Sequence, residues 1–321
     1  MRPMLEPLVT PDMIEAARAR ISPYIRRTPI ISTRPGELGL HHGVALKLEL
    51  LQYTGSFKAR GAFNRMLAAS DEMPEAGVIA ASGGNHGAAV AFAAKRLGLH
   101  AEVFVPASSP PMKRERIASF GAALHVIEGL YDDAQAAATA RQLETGALMV
   151  HPFDHVDVVA GQGTLAAELD DQLDSYDTLI VACGGGGFIA GQAAWVRDTR
   201  KVVSVEPATS SCLHAALAAD APVPVDVSGL AADSLGARQL GTVSWSIVRS
   251  YVDKAVLVDD DAIRSAQQVL WQEFRLVAEP GGATALAALR SGAYVPEPGE
   301  RVIVVVCGSN CDPATLSVST G

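Results

Sequence analysis

The feature that most constrains the fold is an alternation of short apolar segments with helical segments along much of the chain. Several apolar segments end in glycine- or proline-containing turns, which is typical of strands. Predicted strands cover residues 44–50, 78–82, 101–106, 123–129, 147–152, 177–183, 202–207 and 301–309. Predicted helices cover residues 12–22, 57–69, 88–98, 110–120, 131–145 and 188–198. This alternation predicts an α/β protein whose parallel sheets are covered by helices on both faces.

The distribution of these segments predicts two sheets. Strands and helices between about residues 50 and 150 form a compact run, and the C-terminal half supplies a second set of strands. The chain has 321 residues, of which 49% are apolar and 19% are charged. That is enough apolar material for a large core and for two domains.

Composition and charge exclude several classes of protein. The 26 Lys and Arg against 35 Asp and Glu give a net charge of −9 without a long basic run, so we expect no nucleic-acid partner. Neither a run of about 18 apolar residues nor the apolar segment of a signal peptide is present, so we expect no membrane partner. The four cysteines form no CxxC pair. We therefore expect reduced thiols in a cytoplasmic enzyme.

Three predicted strands end in turns of unusual composition: Ser82–His86, Gly184–Gly187 and Cys307–Asn310. Ligands of open α/β sheets bind beyond the carboxyl ends of strands, so these turns are candidate parts of a site. The four glycines precede a predicted helix, where bare backbone N–H groups and the helix N-terminus favour a phosphate. The alternative is a flexible turn.

The turn at residues 82–86 offers backbone amides and the Asn85 side chain to a carboxylate. His86 is either a base or a hydrogen-bonded structural histidine. Lys58, between Phe57 and Ala59, is either a snorkelling surface lysine or an amine nucleophile with an easily lost proton. An amine, a phosphate site and a carboxylate site together are what pyridoxal phosphate needs when it processes an amino acid.

These residues belong to a longer series of motifs. In chain order they are RRTPI (26–30), LELLQYTGSFKARGAFN (48–64), ASGGNHGAAVA (81–91), HPFDHVDVVAGQGT (151–164), CGGGGFIAG (183–191), VEP (205–207), AEPGGA (278–283) and VVCGSNCD (305–312). With them the chain resembles the fold-type II pyridoxal-phosphate enzymes, and within these the serine/threonine dehydratase and serine racemase group. The resemblance implies a tryptophan synthase β-like fold, with two open twisted sheets and flanking helices.

The resemblance also implies a role for each motif residue. The cofactor would be pyridoxal 5'-phosphate, with which Lys58 forms an imine before it takes the α-proton of the substrate. Phe57 would lie beside the cofactor ring, Asn85 would hydrogen-bond its phenolic oxygen and Cys307 would face its nitrogen. The phosphate would be held by the backbone of Gly184, Gly185, Gly186 and Gly187, and the substrate carboxylate by Ser82, Gly83, Gly84, Asn85 and His86.

The domain organisation follows from the same resemblance. A large cofactor-binding domain would comprise residues 1–48 and 152–321, with a small domain of residues 49–151 inserted between its parts. A homodimer is the usual form in the family, and we expect it here.

The implied reaction is the dehydration of a small L-β-hydroxy amino acid, such as L-threonine or L-serine, to a 2-oxo acid and ammonia. Two alternatives on the same scaffold are an amino-acid racemase or β-replacement enzyme, and a dehydratase of 3-hydroxyaspartate or another β-hydroxy amino acid. A third alternative is a non-enzymatic binding protein, which Lys58 disfavours because binding alone needs no amine.

Two positions depart from the family pattern. Racemases of this group have a serine where this chain has Gly83, so a proton donor for racemisation is predicted to be missing, unless the glycine merely serves an unusual φ. Metal-binding members have an acidic residue where this chain has Cys212, so we predict no metal site at Glu206.

Overall fold

The computed structural model describes residues 8–316. Within them the strands are β1 (Ile30–Ser32), β2 (Ala45–Lys47), β3 (Val78–Ala81), β4 (Ala101–Pro106), β5 (Ala123–Ile127), β6 (Leu148–Met149), β7 (Thr178–Ala182), β8 (Lys201–Pro207), β9 (Lys254–Val258) and β10 (Val302–Val305). The α-helices are α1 (Pro11–Ile21), α2 (Lys58–Ala68), α3 (Asn85–Leu97), α4 (Pro111–Ser119), α5 (Tyr131–Thr145), α6 (Val156–Gln172), α7 (Gly187–Val196), α8 (Cys212–Ala219), α9 (Ala232–Leu235), α10 (Thr242–Tyr251), α11 (Asp260–Phe274) and α12 (Pro280–Arg290). No helix in this part of the chain has the length and apolar character needed to cross a membrane.

The larger sheet has six strands in the order β1-β2-β10-β7-β8-β9. Neighbouring strands are parallel, except that β1 at one edge runs antiparallel to β2. Every residue of β7 and of β10 is buried. Their continuous apolar sequences therefore suit the centre of a parallel sheet that helices cover on both faces.

The smaller sheet has four parallel strands in the order β5-β4-β3-β6. All four lie between residues 78 and 149, whereas the strands of the larger sheet lie before residue 48 and after residue 177. The prediction of two sheets with flanking helices is thus confirmed. The strand positions also agree with the predicted small domain of residues 49–151, whose boundaries stay a prediction.

Several predicted strands are shorter than expected, and 301–309 is extended only over Val302–Val305. The segment 44–50 is extended only to Lys47, because Leu48 leaves the extended region at φ −88° and ψ 63° and Glu49–Leu51 form a 3-10 turn. The segment 147–152 pairs with β3 only at Leu148 and Met149. Beyond that pair its backbone turns away toward the candidate site.

The carboxyl ends of β3 and β10 lie side by side, and Gly184, just after β7, lines the same cavity as Asn85, in the cleft between the two sheets. Asn85, just after β3, lies 2.6 Å from Asn310, which follows β10. An isolated bridge between Ser56 and Gly308 brings the start of α2 to the same place. The three unusual turns identified in the sequence therefore surround one region.

Candidate active site

Lys58 is the first residue of α2, and its amine faces the cleft. Its Nζ donates a hydrogen bond to the carbonyl oxygen of Pro152 at 2.7 Å. Burial lowers the pKa of Lys58 to about 8, against the opposing influence of Cys307 and Glu279. A larger share of this amine is therefore neutral near physiological pH than of an exposed lysine, as a nucleophile or base requires.

The turn at residues 82–86 connects β3 to α3, which begins at Asn85. The side chain of Ser82 accepts a hydrogen bond from the backbone N–H of Gly84 at 3.2 Å and so stabilises the turn. The first N–H groups of this 13-residue helix point along its axis, and they favour an anion. This geometry suits the predicted binding of a carboxylate.

The side chain of His86 is hydrogen-bonded within the protein, and its binding of substrate stays a prediction. Its Nε2 lies 2.7 Å from the carbonyl oxygen of Val150, and the ring is buried. Burial, together with the charge of Lys58, lowers the pKa of His86 to about 3. Of the two alternatives from the sequence, the hydrogen-bonded histidine is therefore the one that the geometry supports.

The alternative reason for a glycine at position 83 was an unusual backbone conformation. The φ of Gly83 is not positive, so the structure does not support that reason. A Cβ at this position would lie 1.9 Å from Oγ and 2.7 Å from Cβ of Ser109. Both distances are shorter than a van der Waals contact, so Gly83 is required by packing against Ser109 rather than by backbone conformation.

The four glycines connect β7 to α7 and are closely packed. Gly186 has a φ of +88°, and a Cβ on Gly185 would lie 2.6 Å from ring atoms of Phe153. A Cβ on Gly187 would lie 2.5 Å from the Phe153 carbonyl oxygen. Larger residues here would therefore disturb folding as well as the approach of a phosphate, so the two effects have to be measured separately.

A cavity of about 590 Å³ lies in the cleft. It is lined by Lys58, by residues 82–86, and by Gly184 and Gly185. This volume is in the usual range for small-molecule sites. Most of the predicted site residues therefore face one common space.

Four predicted site residues are not part of this lining: Phe57, Gly186, Gly187 and Cys307. The ring of Phe57 stacks on Phe188 with centroids 3.9 Å apart, and the Lys58 amine is 5.1 Å from its centroid. The Cys307 thiol is 3.4 Å from the Gly281 carbonyl oxygen. Burial raises the pKa of Cys307 well above its usual range, so the thiol is neutral.

The family model described as "Pyridoxal-phosphate dependent enzyme" matches residues 21–308. The matched range holds Lys58, the glycine turn and Cys307 in the arrangement described above. The chain belongs to this family. The resemblance, the cofactor and the enzymatic nature of the protein are thus confirmed, and the non-enzymatic binding protein is excluded.

Relatives of this pyridoxal-phosphate dependent enzyme cover nearly all of its length. An L-threonine ammonia-lyase of Geobacter sulfurreducens is 38% identical over 309 residues, which cover 95% of this chain and 77% of the relative. A phenylserine dehydratase of Ralstonia pickettii is 36% identical over 324 residues, which cover 99% and 98%. The structure of maize serine racemase matches with a TM-score of 0.89 at 33% identity and covers 96% of both chains.

The residues of the site fit pyridoxal phosphate. Lys58 offers a buried amine with a lowered pKa, and the glycine turn leaves backbone N–H groups bare at the start of α7. Oε2 of Glu279 is buried without a hydrogen-bond partner among the described residues. Glu279 does not line the cavity, so the fit rests on the Lys58 amine and on the bare backbone of the glycine turn, of which Gly184 and Gly185 do line it.

Sequence reasoning gave no role to several residues of the site. Glu279 is buried and accepts a hydrogen bond from Nδ2 of Asn85 at 2.5 Å. Burial raises the pKa of Glu279 to about 7, although the bond from Asn85 opposes this. Nδ1 of His151 accepts from the backbone N–H of Asp154 at 2.8 Å and holds the segment that carries Phe153. The motifs AEPGGA and HPFDH contain these residues, but only the fold shows what they contact.

The carboxylate of Glu206 is hydrogen-bonded to the first turn of α8, the helix that follows it. Its two carboxylate oxygens accept the backbone N–H groups of Leu213 and His214, both at 2.8 Å. The thiol of Cys212 lies 3.1 Å from the carbonyl oxygen of Gly184. Over residues 8–316 there is no cluster of three or more His, Cys, Asp or Glu side chains suited to a metal. The absence of a metal requirement stays a prediction.

Proposed function

We propose that this pyridoxal-phosphate dependent enzyme is an ammonia-lyase that converts a small L-β-hydroxy amino acid, such as L-threonine or L-serine, to a 2-oxo acid and ammonia. The observation that supports this most directly is that the Lys58 amine and the N-terminus of α3 face one cavity. A base and a carboxylate site are thereby placed around one amino-acid-sized space. The L-threonine ammonia-lyase and the phenylserine dehydratase among the relatives support the same reaction class.

When bound, pyridoxal phosphate supplies an electron sink for the negative charge that develops at the substrate α-carbon. Lys58 would anchor the cofactor and then accept the α-proton, for which a pKa of about 8 is well placed. The α3 N-terminus would hold the substrate carboxylate and so orient the α-carbon toward this amine. Cys307, proposed to face the ring nitrogen, is a neutral thiol and brings no negative charge that would keep that nitrogen protonated.

The far wall of the cavity bears on the choice of substrate. It is formed by Leu130, Tyr131 and Gln135 at the start of α5 and by Arg238 across the cleft. Leu130 is 61% exposed and Tyr131 is 42% exposed, so an apolar edge is free for a β-substituent larger than a methyl group. Arg238 lies 3.7 Å from Asp132, so a side-chain carboxylate, as in 3-hydroxyaspartate, would compete with Asp132 for this cation.

Racemisation is the second candidate, and one observation favours it. The hydroxyl of Ser109 fills the place that a side chain on Gly83 would take, and it lines the cavity. The site therefore has a hydroxyl beside Gly83 although residue 83 itself has none. The maize serine racemase shows that the overall fold is compatible with this reaction class.

A substrate panel tests the proposed function. The purified enzyme is incubated with L-serine, L-threonine, L-3-hydroxyaspartate and L-phenylserine, and both the 2-oxo acid and the D-amino acid are followed. We expect 2-oxo acid from at least one substrate, with little D-product. Lys58→Ala should carry no covalently attached cofactor after borohydride reduction and lose turnover at least about a thousandfold, because it removes both anchor and base.

Two results of this panel contradict the proposal. D-amino acid that forms faster than 2-oxo acid would identify a racemase. Turnover in Lys58→Ala close to that of the wild type would show that the base lies elsewhere.

The homodimer and the cytoplasmic location stay predictions, which sizing of the purified protein and cell fractionation address.

A further inference from the structure

A chain of hydrogen bonds runs along the cleft from α4 to the buried Glu279. Nη1 of Arg116 donates to Oδ1 of Asn310. Nδ2 of Asn310 donates to Oδ1 of Asn85 at 2.6 Å, and Nδ2 of Asn85 donates to Oε1 of Glu279 at 2.5 Å. The four residues come from four separate segments, so only the folded chain brings them together.

The groups at the two ends of this series of hydrogen bonds fix the orientation of the asparagine amides between them. A guanidinium has only donors and a backbone carbonyl only accepts. Asn310 must therefore turn its oxygen to Arg116 and its nitrogen to Asn85 and to the carbonyl oxygen of Thr54, which is 2.8 Å away. Asn85 in turn must present its oxygen to Asn310 and its nitrogen to Glu279. An asparagine amide without such partners could exchange its two ends by a half-turn.

Two glycines make room for these hydrogen-bonded side chains because they have no side chain of their own. A Cβ on Gly55, where φ is +72°, would lie 2.7 Å from Oδ1 of Asn310. A Cβ on Gly308 would lie 1.9 Å from Oε1 of Glu279. Both glycines belong to the turns that approach Lys58, so the backbone there is shaped around these polar side chains.

We propose that Asn310 is a positioning residue that fixes the amide of Asn85 with its NH₂ group toward the cofactor's phenolic oxygen. This inference rests on the proposed function, in which Asn85 meets that oxygen. Nδ2 of Asn85 has two hydrogens, of which one is bound by Glu279 and the other is left for a ligand in the cavity. In the reversed orientation an amide oxygen would face the phenolic oxygen, and two acceptors would repel each other.

The consequence can be read from the absorption of the bound cofactor. A donor at the phenolic oxygen stabilises its negative charge and thus the form that absorbs in the visible range. Loss of the donor favours the uncharged phenolic form, which absorbs at shorter wavelength. A residue that only stabilised the fold would not change the ratio of these two bands.

Asn310→Asp in the holoenzyme is the test. The new carboxylate still accepts from Arg116 but, when ionised, cannot donate to Asn85. We expect the visible band to lose intensity to the near-ultraviolet band at constant pH, while one equivalent of pyridoxal phosphate per chain is still released by alkali. We also expect kcat to fall roughly tenfold, as for one lost hydrogen bond, with a smaller change in KM.

Arg116→Met removes the group that donates to Asn310. It should also move intensity from the visible band to the near-ultraviolet band, but by less than Asn310→Asp does. It also carries the test if Asn310→Asp fails to fold. Arg114→Met, on the same helix but outside the hydrogen-bond chain, is the matched control and should leave the spectrum unchanged. A folded, loaded Asn310→Asp with the wild-type band ratio overturns the positioning role, whatever its kcat. A wild-type protein without a cofactor band that depends on Lys58 overturns the proposed function, and this inference with it.

Discussion

At the residue scale, the side chain of Ser109 takes the space that any side chain on Gly83 would need. Ser109 is held in place by its backbone N–H, which donates to the carbonyl oxygen of Pro106 at 2.9 Å. Because its Cβ as well as its hydroxyl is close to Gly83, a rotation of the Ser109 side chain would not make room. We therefore expect residues 83 and 109 to act together in the choice between elimination and racemisation.

The single variant Gly83→Ser should lose stability by about 1–3 kcal/mol, as overpacked sites do, and should be slow in both reactions. The double variant Gly83→Ser/Ser109→Gly restores the space, so we expect it to recover elimination and to form more D-amino acid than the wild type. Thermal unfolding and product analysis measure both effects, with Ser109→Gly alone as the control. A single variant as stable and active as the wild type would refute the steric reason.

At the element scale, a buried network of charges joins β2, α2 and α6. Arg60, two residues after Lys58, pairs with Glu49 at 2.6 Å and with Glu168 at 2.9 Å. The amine of Lys47 pairs with Glu168 at 2.5 Å. The side chains of Arg60, Lys47 and Glu49 are fully buried. Buried charges are tolerated only when they are paired, so we expect this network to stabilise the start of α2, which carries Lys58.

Arg60→Met should lower the free energy of unfolding by about 3–5 kcal/mol, because it leaves Glu49 and part of Glu168 buried without their partner. Arg65→Met, on the same helix, breaks a partly exposed pair with Asp157 and should cost less than about 1 kcal/mol. Urea unfolding of the two variants measures the difference. Equal losses in both would show that the buried network does not stabilise α2.

At the scale of the whole molecule, two ion pairs lie beside the cavity. They join the part of the chain that holds the smaller sheet (the small lobe) to the part that holds the larger sheet (the large lobe). Lys113 of α4 pairs with Asp233 of α9, and Arg238 lies 3.7 Å from Asp132 at the start of α5. Each lobe contributes one cation and one anion. These pairs are partly or largely exposed, so we expect them to add little to stability but to hold the two sides of the cleft at one separation.

Lys113→Met should raise the KM for the preferred substrate by roughly 1.4- to fivefold, equivalent to the 0.2–1 kcal/mol or so of an exposed ion pair, with almost no change in thermal stability. The wild-type KM should rise in the same way at high salt, because salt screens exposed charges. Lys95→Met, on an exposed part of α3, serves as the control variant. A KM that responds neither to the variant nor to salt would show that the pairs do not hold the cleft.

Helix α6 shows why some elements were missed in the sequence. It contains Gly161 and Gly163, which lower helix propensity and obscure the helical pattern. A Cβ on Gly161 would lie 2.8 Å from the Arg60 carbonyl oxygen, and one on Gly163 would lie 2.7 Å from that of Gly191. Both glycines thus allow α6 to pack closely on α2 and α7, and this reason is visible only when the partner helices are in place.

The sequence by itself determined the α/β class, the two sheets and the turns that carry Lys58, Asn85 and the four glycines. These features depend on periodicity and on short motifs, which one sequence displays directly. Only the tertiary structure decided the partners of Asn85, since Glu279 and Asn310 lie 194 and 225 positions from it. The same holds for the contact of Ser109 with Gly83. A hydrogen bond or a packing contact between segments distant in the chain leaves no local pattern, because it is set by how the sheets and helices pack around the cleft.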